Sequence, residues 1–143
     1  MKPEDLFSFL NPEEAGILLG FLEPVEVKAG EDIFVEGQQA PFMVFIVQGR
    51  LVVRKPTEFP GKYQVIAVLE TGSFAGEAGI IDDSVHGATV TAVRDSELLS
   101  LTRTSFATLA SRHPDLAIDL LRYLLAIVHL RLQKTSHRLS MVL

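Results

Sequence analysis

The chain has 143 residues, enough for one domain with its own core and too few for two. Apolar residues make up 48% and charged residues 22%, a globular composition, and the absence of Cys excludes disulfides, thiolate zinc sites, iron–sulfur clusters and cysteine nucleophiles together. A net charge of −5 disfavours nucleic acid as a partner of the surface as a whole, and neither a signal-peptide core nor an apolar run of about 18 residues is present, so a soluble cytoplasmic protein is expected, with no membrane partner.

The first helix signal is Asn11-Pro12-Glu13-Glu14: a cap, Pro at the first helical position, then acids in the first turn. Ala15, Leu18, Leu19 and Leu22 follow at helical spacing, and Glu23-Pro24 is expected to end the helix, because the residue before Pro avoids helical angles. The pattern then changes to short strands at Val25–Lys28, Asp32–Glu36, Phe42–Gln48, Leu51–Lys55, Tyr63–Glu70, Ala88–Val93 and Glu97–Thr102, separated by turn pairs such as Glu36-Gly37, Gln48-Gly49, Pro60-Gly61 and Thr71-Gly72. Strands at this spacing predict a small antiparallel sandwich or barrel. Phe42–Val47 is apolar on both faces and so requires cover on both sides. Ala88, Val90 and Ala92 share one face of their strand, with Thr89 and Thr91 on the other.

Helix returns with Thr104–Ala110, carrying Phe106 and Leu109, and His113-Pro114-Asp115 starts a long helix that runs nearly to the C-terminus. Leu121, Leu125, Val128, Leu132, Thr135, Leu139 and Val142 form a heptad seam about 33 Å long at 1.5 Å per residue, interrupted only at Thr135. A second stripe, Leu116, Leu120, Leu124 and Ile127, runs beside it. A bare seam of that length is unstable in water, so the expectation is a homodimer through Leu121, Leu125, Val128, Leu132 and Leu139; the alternative is that both stripes pack on the same domain. A mean hydropathy of +0.28 fits a covered apolar surface. Arg122, Arg131, Lys134, His137 and Arg138 read as a solvated face of this helix. The four histidines, His86, His113, His129 and His137, include no His-x-His pair, and no Ser-His-Asp arrangement has useful spacing, so neither a metal site nor catalysis is expected.

The stretch most informative about function is Gly72-Ser73-Phe74-Ala75-Gly76-Glu77-Ala78-Gly79-Ile80-Ile81, between two strands. Its glycines let backbone approach a ligand, a short helical turn there aims free N–H groups at an anion, and the Glu77 carboxylate accepts hydrogen bonds from sugar hydroxyls. Together with Gly30-Glu31, Phe34, Glu36-Gly37, Phe45-Ile46-Val47-Gln48-Gly49-Arg50-Leu51, Ala88-Thr89-Val90 and His113-Pro114-Asp115, it resembles the cyclic nucleotide-binding domain, and within it the sensor half of the catabolite activator and fumarate-nitrate regulator superfamily. The resemblance spans nearly the whole chain. It implies a mainly β fold with flanking α-helices: an antiparallel β jelly-roll barrel (a double-stranded β-helix) over residues 23–102, N-terminal helices within 1–22, and hinge and dimerisation helices in 103–143, all one domain.

The ligands implied are cAMP or cGMP, held by a phosphate-binding cassette, here residues 72–90, that usually reads F-G-E-x-A-L-L and then P-R-x-A-T or P-R-x-A-S. Its glutamate takes the ribose 2′-hydroxyl and its arginine pairs with the cyclic phosphate. Gly76 and Glu77 match the glycine and the ribose glutamate, Ala78 and Gly79 match the turn whose amides face the phosphate, and Ala88 and Thr89 match the following strand. The Pro-Arg pair is replaced by Val85-His86, followed by Gly87. Losing a buried charge partner costs about 2–5 kcal/mol, enough to move a micromolar site toward millimolar. Three readings of His86 follow: a protonated stand-in for the arginine, part of a site for another ligand or weak binding through backbone amides, or the mark of a dead site kept for its shape. The family's purine contacts come from the long helix. An ungapped count from Pro114 puts Arg131 and Leu132 there, whereas the Thr135-Ser136 pair lies one turn later; Thr135 is otherwise a polar position that sets helix register.

The resemblance implies a regulatory domain and no enzyme: ligand state passes through a hinge at Thr104–His113 and the long helix to a dimer or to a protein partner. No helix-turn-helix domain follows Leu143, so DNA binding by this chain is not expected. The alternatives are an interaction module that has lost its ligand and a jelly-roll enzyme.

Overall fold

The computed structural model describes residues 2–142. A 3-10 turn over Pro3–Phe7 leads to helix α1, Pro12–Leu19, whose N-terminus is closed reciprocally: Asn11 Oδ1 accepts the Glu14 N–H at 2.8 Å and the Glu14 carboxylate accepts the Asn11 N–H at 3.5 Å. Replacing Asn11 by Ala is expected to cost about 1 kcal/mol, read as a lower urea midpoint at unchanged slope. The helix stops earlier than its apolar spacing predicts. Gly20, Phe21 and Leu22 donate to Ile17, Leu18 and Leu19 in consecutive i to i−3 bonds, so the chain tightens out of the α-helix before Leu22. Glu23-Pro24 accordingly does not end α1; it opens strand β1, Glu23–Val27. Pro24 is tolerated because β1 is an edge strand, paired only with β8, Ser96–Thr102.

The remaining strands are β2 (Asp32–Phe34), β3 (Phe42–Gln48), β4 (Arg50–Pro56), β5 (Tyr63–Glu70), β6 (Phe74–Ala75) and β7 (Thr89–Ala92). They form two antiparallel sheets, ordered β1-β8-β3-β6 and β2-β7-β4-β5. The two sheets lie face to face, as the sandwich of the expectation and the jelly-roll likeness require, and they are not closed into a barrel. The edge strands β2 and β6 have only three and two residues, too few to carry a ladder from one sheet to the other. β6 itself has no sequence pattern, because two residues show no alternation; its register, Val44 opposite Ala75 and Phe45 opposite Phe74, comes from β3.

β3 is covered on both faces, as its composition requires. Val44 and Ile46 meet Phe34, Leu51, Val90, Ala92 and Leu98 between the sheets. Met43, Phe45 and Val47 meet Phe7, Leu18, Leu101, Leu109 and Leu120 beneath the helices. On β7, Val90 and Ala92 are buried between the sheets, and Thr89 on the other face is buried too, its Oγ1 accepting the Glu36 N–H.

Helix α2 is the single turn Ala78–Ile81, α3 spans Arg103–Arg112 with Thr102 Oγ1 capping the Ser105 N–H, and α4 runs over Pro114–Val142. At 29 residues α4 is about 43 Å long. Its two stripes part. Leu116, Leu120 and Leu124 are buried in the core beneath the helices, with Ile127 half-buried beside them. Of the seam, Val128 is half-buried against that core, whereas Leu121, Leu125, Leu132 and Leu139 are exposed, Leu125 by 69%. The side chain of Val142 lies outside the described residues. Among the described residues no helix is long and apolar enough to cross a membrane.

Candidate functional site

The cassette segment turns sharply after β6. Gly76 has φ +76°, and a Cβ there would stand 2.2 Å from the Phe34 ring, so both the angle and the space demand glycine. The turn delivers Glu77, half-buried, at the start of α2. Gly79 is required for packing alone. A Cβ there would meet the Phe42 and Ala40 carbonyl oxygens at 2.2 and 2.6 Å, so its bare Cα lets α2 lie directly on the chain entering β3. Arg103, at the start of α3, donates from Nε to the Gly79 carbonyl at 3.1 Å and pairs with Asp83. It joins the cassette to the following helix, and its partners are too distant in sequence for any local pattern to announce it.

The His86 ring is bonded and stacked within the protein. Its Nε2 lies 3.0 Å from the Ala40 carbonyl, which can only accept, so Nε2 carries the proton. The ring stacks on Phe34 with centroids 4.2 Å apart, and the residue is 5% exposed. Its backbone also bonds Gln38 and Gly37, so the loop is tied down on both sides.

A recess of about 580 Å³ opens between the cassette, β4, β5 and α4. Gly76, Glu77, Ala78, Gly87, Ala88 and an edge of His86 border it on one side, Val53, Lys55, Ile66 and Val68 on another, and Arg131, Lys134, Thr135 and Arg138 from α4. Of the residues singled out from the sequence, eight therefore share one cavity: Gly76, Glu77, Ala78, His86, Gly87, Ala88, Arg131 and Thr135. Gly79, Thr89 and Leu132 do not border it. Gly79 is packed on backbone, Thr89 Oγ1 is taken by Glu36, and Leu132 is 62% exposed elsewhere on α4. Arg131 and Thr135 both border the cavity, one turn apart, so the two placements counted from Pro114 overlap instead of excluding each other.

Arg131 is the most constrained cation of the recess. Its Nη2 donates at 2.8 Å to Ser73 Oγ and to the Phe74 carbonyl, and its guanidinium lies 4.4 Å from the Phe74 ring centroid. Burial pushes its pKa below the ordinary guanidinium value, while the Glu77 carboxylate and Tyr123 pull it back up. The guanidinium is thus a half-buried charge held on the cassette through Nη2 and the Phe74 ring. Sequence reasoning missed Ser73, Lys55, Lys134 and Arg138. The last two were legible: with Arg131 they fall at i, i+3 and i+7, one helix face, but only the position of α4 distinguishes a cavity wall from a solvated face. Among the described residues no group of three or more His, Cys, Asp or Glu is placed to hold a metal ion.

Residues 24–113, both sheets and α3, match the sequence profile of the cyclic nucleotide-binding domain. The chain belongs to that family. Its likeness lies with the sensor portion of catabolite activator and fumarate-nitrate regulator proteins. It is 30% identical over 120 residues to the cyclic AMP receptor protein of Thermus thermophilus, covering 84% of this chain and 55% of that one. It is 35% identical over 99 residues to the lysophospholipase nte1 of Aspergillus fumigatus, covering 68% of this chain and 6% of the enzyme. The chain thus spans about half of the first relative and a small part of the second. Among solved structures, the Thermus thermophilus catabolite activator protein superposes with a TM-score of 0.79 at 28% identity, over 96% of this chain and 62% of that one. The cAMP-bound PfPKA-R fragment superposes with 0.62 at 31% identity, over 72% of this chain and 36% of that one. This cyclic nucleotide-binding domain is similar to a regulatory module, and α4, which carries four of the cavity's bordering residues, lies beyond the matched family profile.

Proposed function

We propose that this single domain is a sensor that takes a cyclic nucleotide, cAMP or cGMP, in the recess between cassette and α4 and performs no catalysis. The observation that carries the reading is Arg131: an α4 cation, partly desolvated, fixed on the cassette by Ser73 and Phe74 and facing the Glu77 side of the cavity. In this reading Glu77 accepts from ribose hydroxyls and the amides following Gly76 approach the phosphate. Arg131 supplies the positive charge that the sequence lacks where the family carries its arginine. Thr135 and Ala88 bound the rest of the ligand, and Gly79 and Thr89 hold the cassette in shape. Because Arg131 bonds Ser73 and Phe74 of the cassette, a ligand that repositions the cassette acts directly on α4, and α4 carries the change to a second copy through its exposed Leu121, Leu125, Leu132 and Leu139, or to another protein. A cytoplasmic location belongs to this reading.

A second reading is favoured by His86, whose ring is spent on Phe34 and Ala40: the domain has lost its ligand and serves as a dimerisation or interaction module. Thermal unfolding with cAMP and cGMP at pH 6 and pH 8 separates the two. A ligand of the folded state raises Tm with its concentration. The sensor reading expects such a rise; a flat response at millimolar nucleotide overturns it in favour of the module, and a larger rise at pH 6 assigns His86 the arginine's role.

A further inference from the structure

The recess holds more positive charge than a cyclic mononucleotide uses. Lys55, Arg131, Lys134 and Arg138 border it against one carboxylate, Glu77, a formal balance of +3 in a chain whose net charge is −5. Arg131 is already opposed by Glu77. Lys55, Lys134 and Arg138 have no carboxylate within 4.0 Å among the described residues; the ion pairs there belong to Lys28, Arg50, Arg54 and Arg103. The charge is also ordered. Arg131, Lys134 and Arg138 follow one face of α4 over about 10 Å, and Lys55 of β4 borders the same recess. A phosphodiester is a single negative charge, and a track of that length outruns one phosphate.

Resting on the sensor reading of this same cavity, we infer that it prefers a nucleotide carrying two or more phosphate charges over cAMP or cGMP. One phosphate end lies toward Arg131 and the cassette, and the remaining charge toward Lys134, Arg138 and Lys55. Apolar Val53, Ile66 and Val68 on the facing strands offer a wall for a base, so a nucleotide suits the recess better than inorganic phosphate.

Calorimetric titration of the full chain with cAMP, ADP, ATP, a cyclic dinucleotide and inorganic pyrophosphate, at low and at elevated salt, tests this. At low salt at least one of ADP, ATP and the dinucleotide is expected to bind about tenfold more tightly than cAMP, and the gap should narrow with salt, because the difference is electrostatic. ADP and ATP against the dinucleotide tell a linear polyphosphate from two phosphodiesters. In a Lys134→Gln, Arg138→Gln double variant, both positions being exposed, the preference should collapse toward one. cAMP binding as tightly as every multiply charged nucleotide, or a preference that survives in the double variant, overturns the inference while leaving the sensor reading standing. Pyrophosphate matching ADP overturns the nucleotide assignment, and silence from every ligand overturns both readings.

Discussion

In the proposed sensor, replacing Arg131 by Met is expected to remove most of the affinity for nucleotide. An anion deprived of a partly buried charged partner loses about 2–5 kcal/mol, or roughly 30- to 4,000-fold in Kd. The fold should survive the change. Two hydrogen bonds from Nη2 to Ser73 and Phe74 are lost, but so is a desolvated charge, and a thioether can still pack on the Phe74 ring. Arg131→Lys keeps the charge, loses the planar fork, and should fall between. Since a guanidinium stays protonated throughout the working range, its contribution is not expected to change with pH. Titration calorimetry of the parent and both variants checks the order; equal affinities would remove Arg131 from the site.

The largest effect on stability is expected at Gly79→Ala. One methyl group would stand 2.2 Å from the Phe42 oxygen, 2.6 Å from the Ala40 oxygen and 2.8 Å from the Phe42 carbonyl carbon, all backbone atoms that no rotamer change can clear. α2 must lift from the entry to β3, straining the Arg103 bond to the Gly79 carbonyl and the Asp83 pair together. Overpacking of this kind costs about 3 kcal/mol, measurable by urea unfolding, and nucleotide binding should weaken with it because Glu77 moves with α2. Gly16→Ala is the control of opposite sign. It lies in α1 with nothing within 4 Å of the added methyl, so it should stabilise, by up to about 1 kcal/mol.

Much of this architecture is legible in the chain because it is local. Asn11-Pro12-Glu13-Glu14 caps α1 with groups three residues apart, and Pro114 starts α4. The doubly apolar run of β3 could only be a central strand, and it lies between β8 and β6 with a core on each side. Leu116, Leu120 and Leu124 separate from Leu121, Leu125 and Leu132 by phase alone, and the structure buries the first set and exposes the second. Where the reading failed, short elements were responsible. β6 has two residues and no period to detect, and α1 ended on a 3-10 tightening that Leu22's spacing concealed. The same brevity of β2 and β6 decided between the two expected forms, leaving the facing sheets as a sandwich and not closing them into a barrel.

The candidate site divides in the same way. The chemistry of the cassette, glycine followed by a carboxylate and a tight turn, is written in consecutive residues, and so is the loss of the Pro-Arg pair at Val85-His86. What surrounds that position is not. His86 is occupied by Phe34 and by Ala40, 46 residues away, and Arg131 reaches Ser73 across 58 residues of chain. Sequence by itself determined the longer helices and strands and the glycine-carboxylate turn between two of them, because backbone angles and apolar periodicity act between near neighbours. Only the tertiary structure decided which cations meet that turn, because charge and desolvation act through space, and the docking of α4 against the cassette is what turns a helix face into a cavity wall.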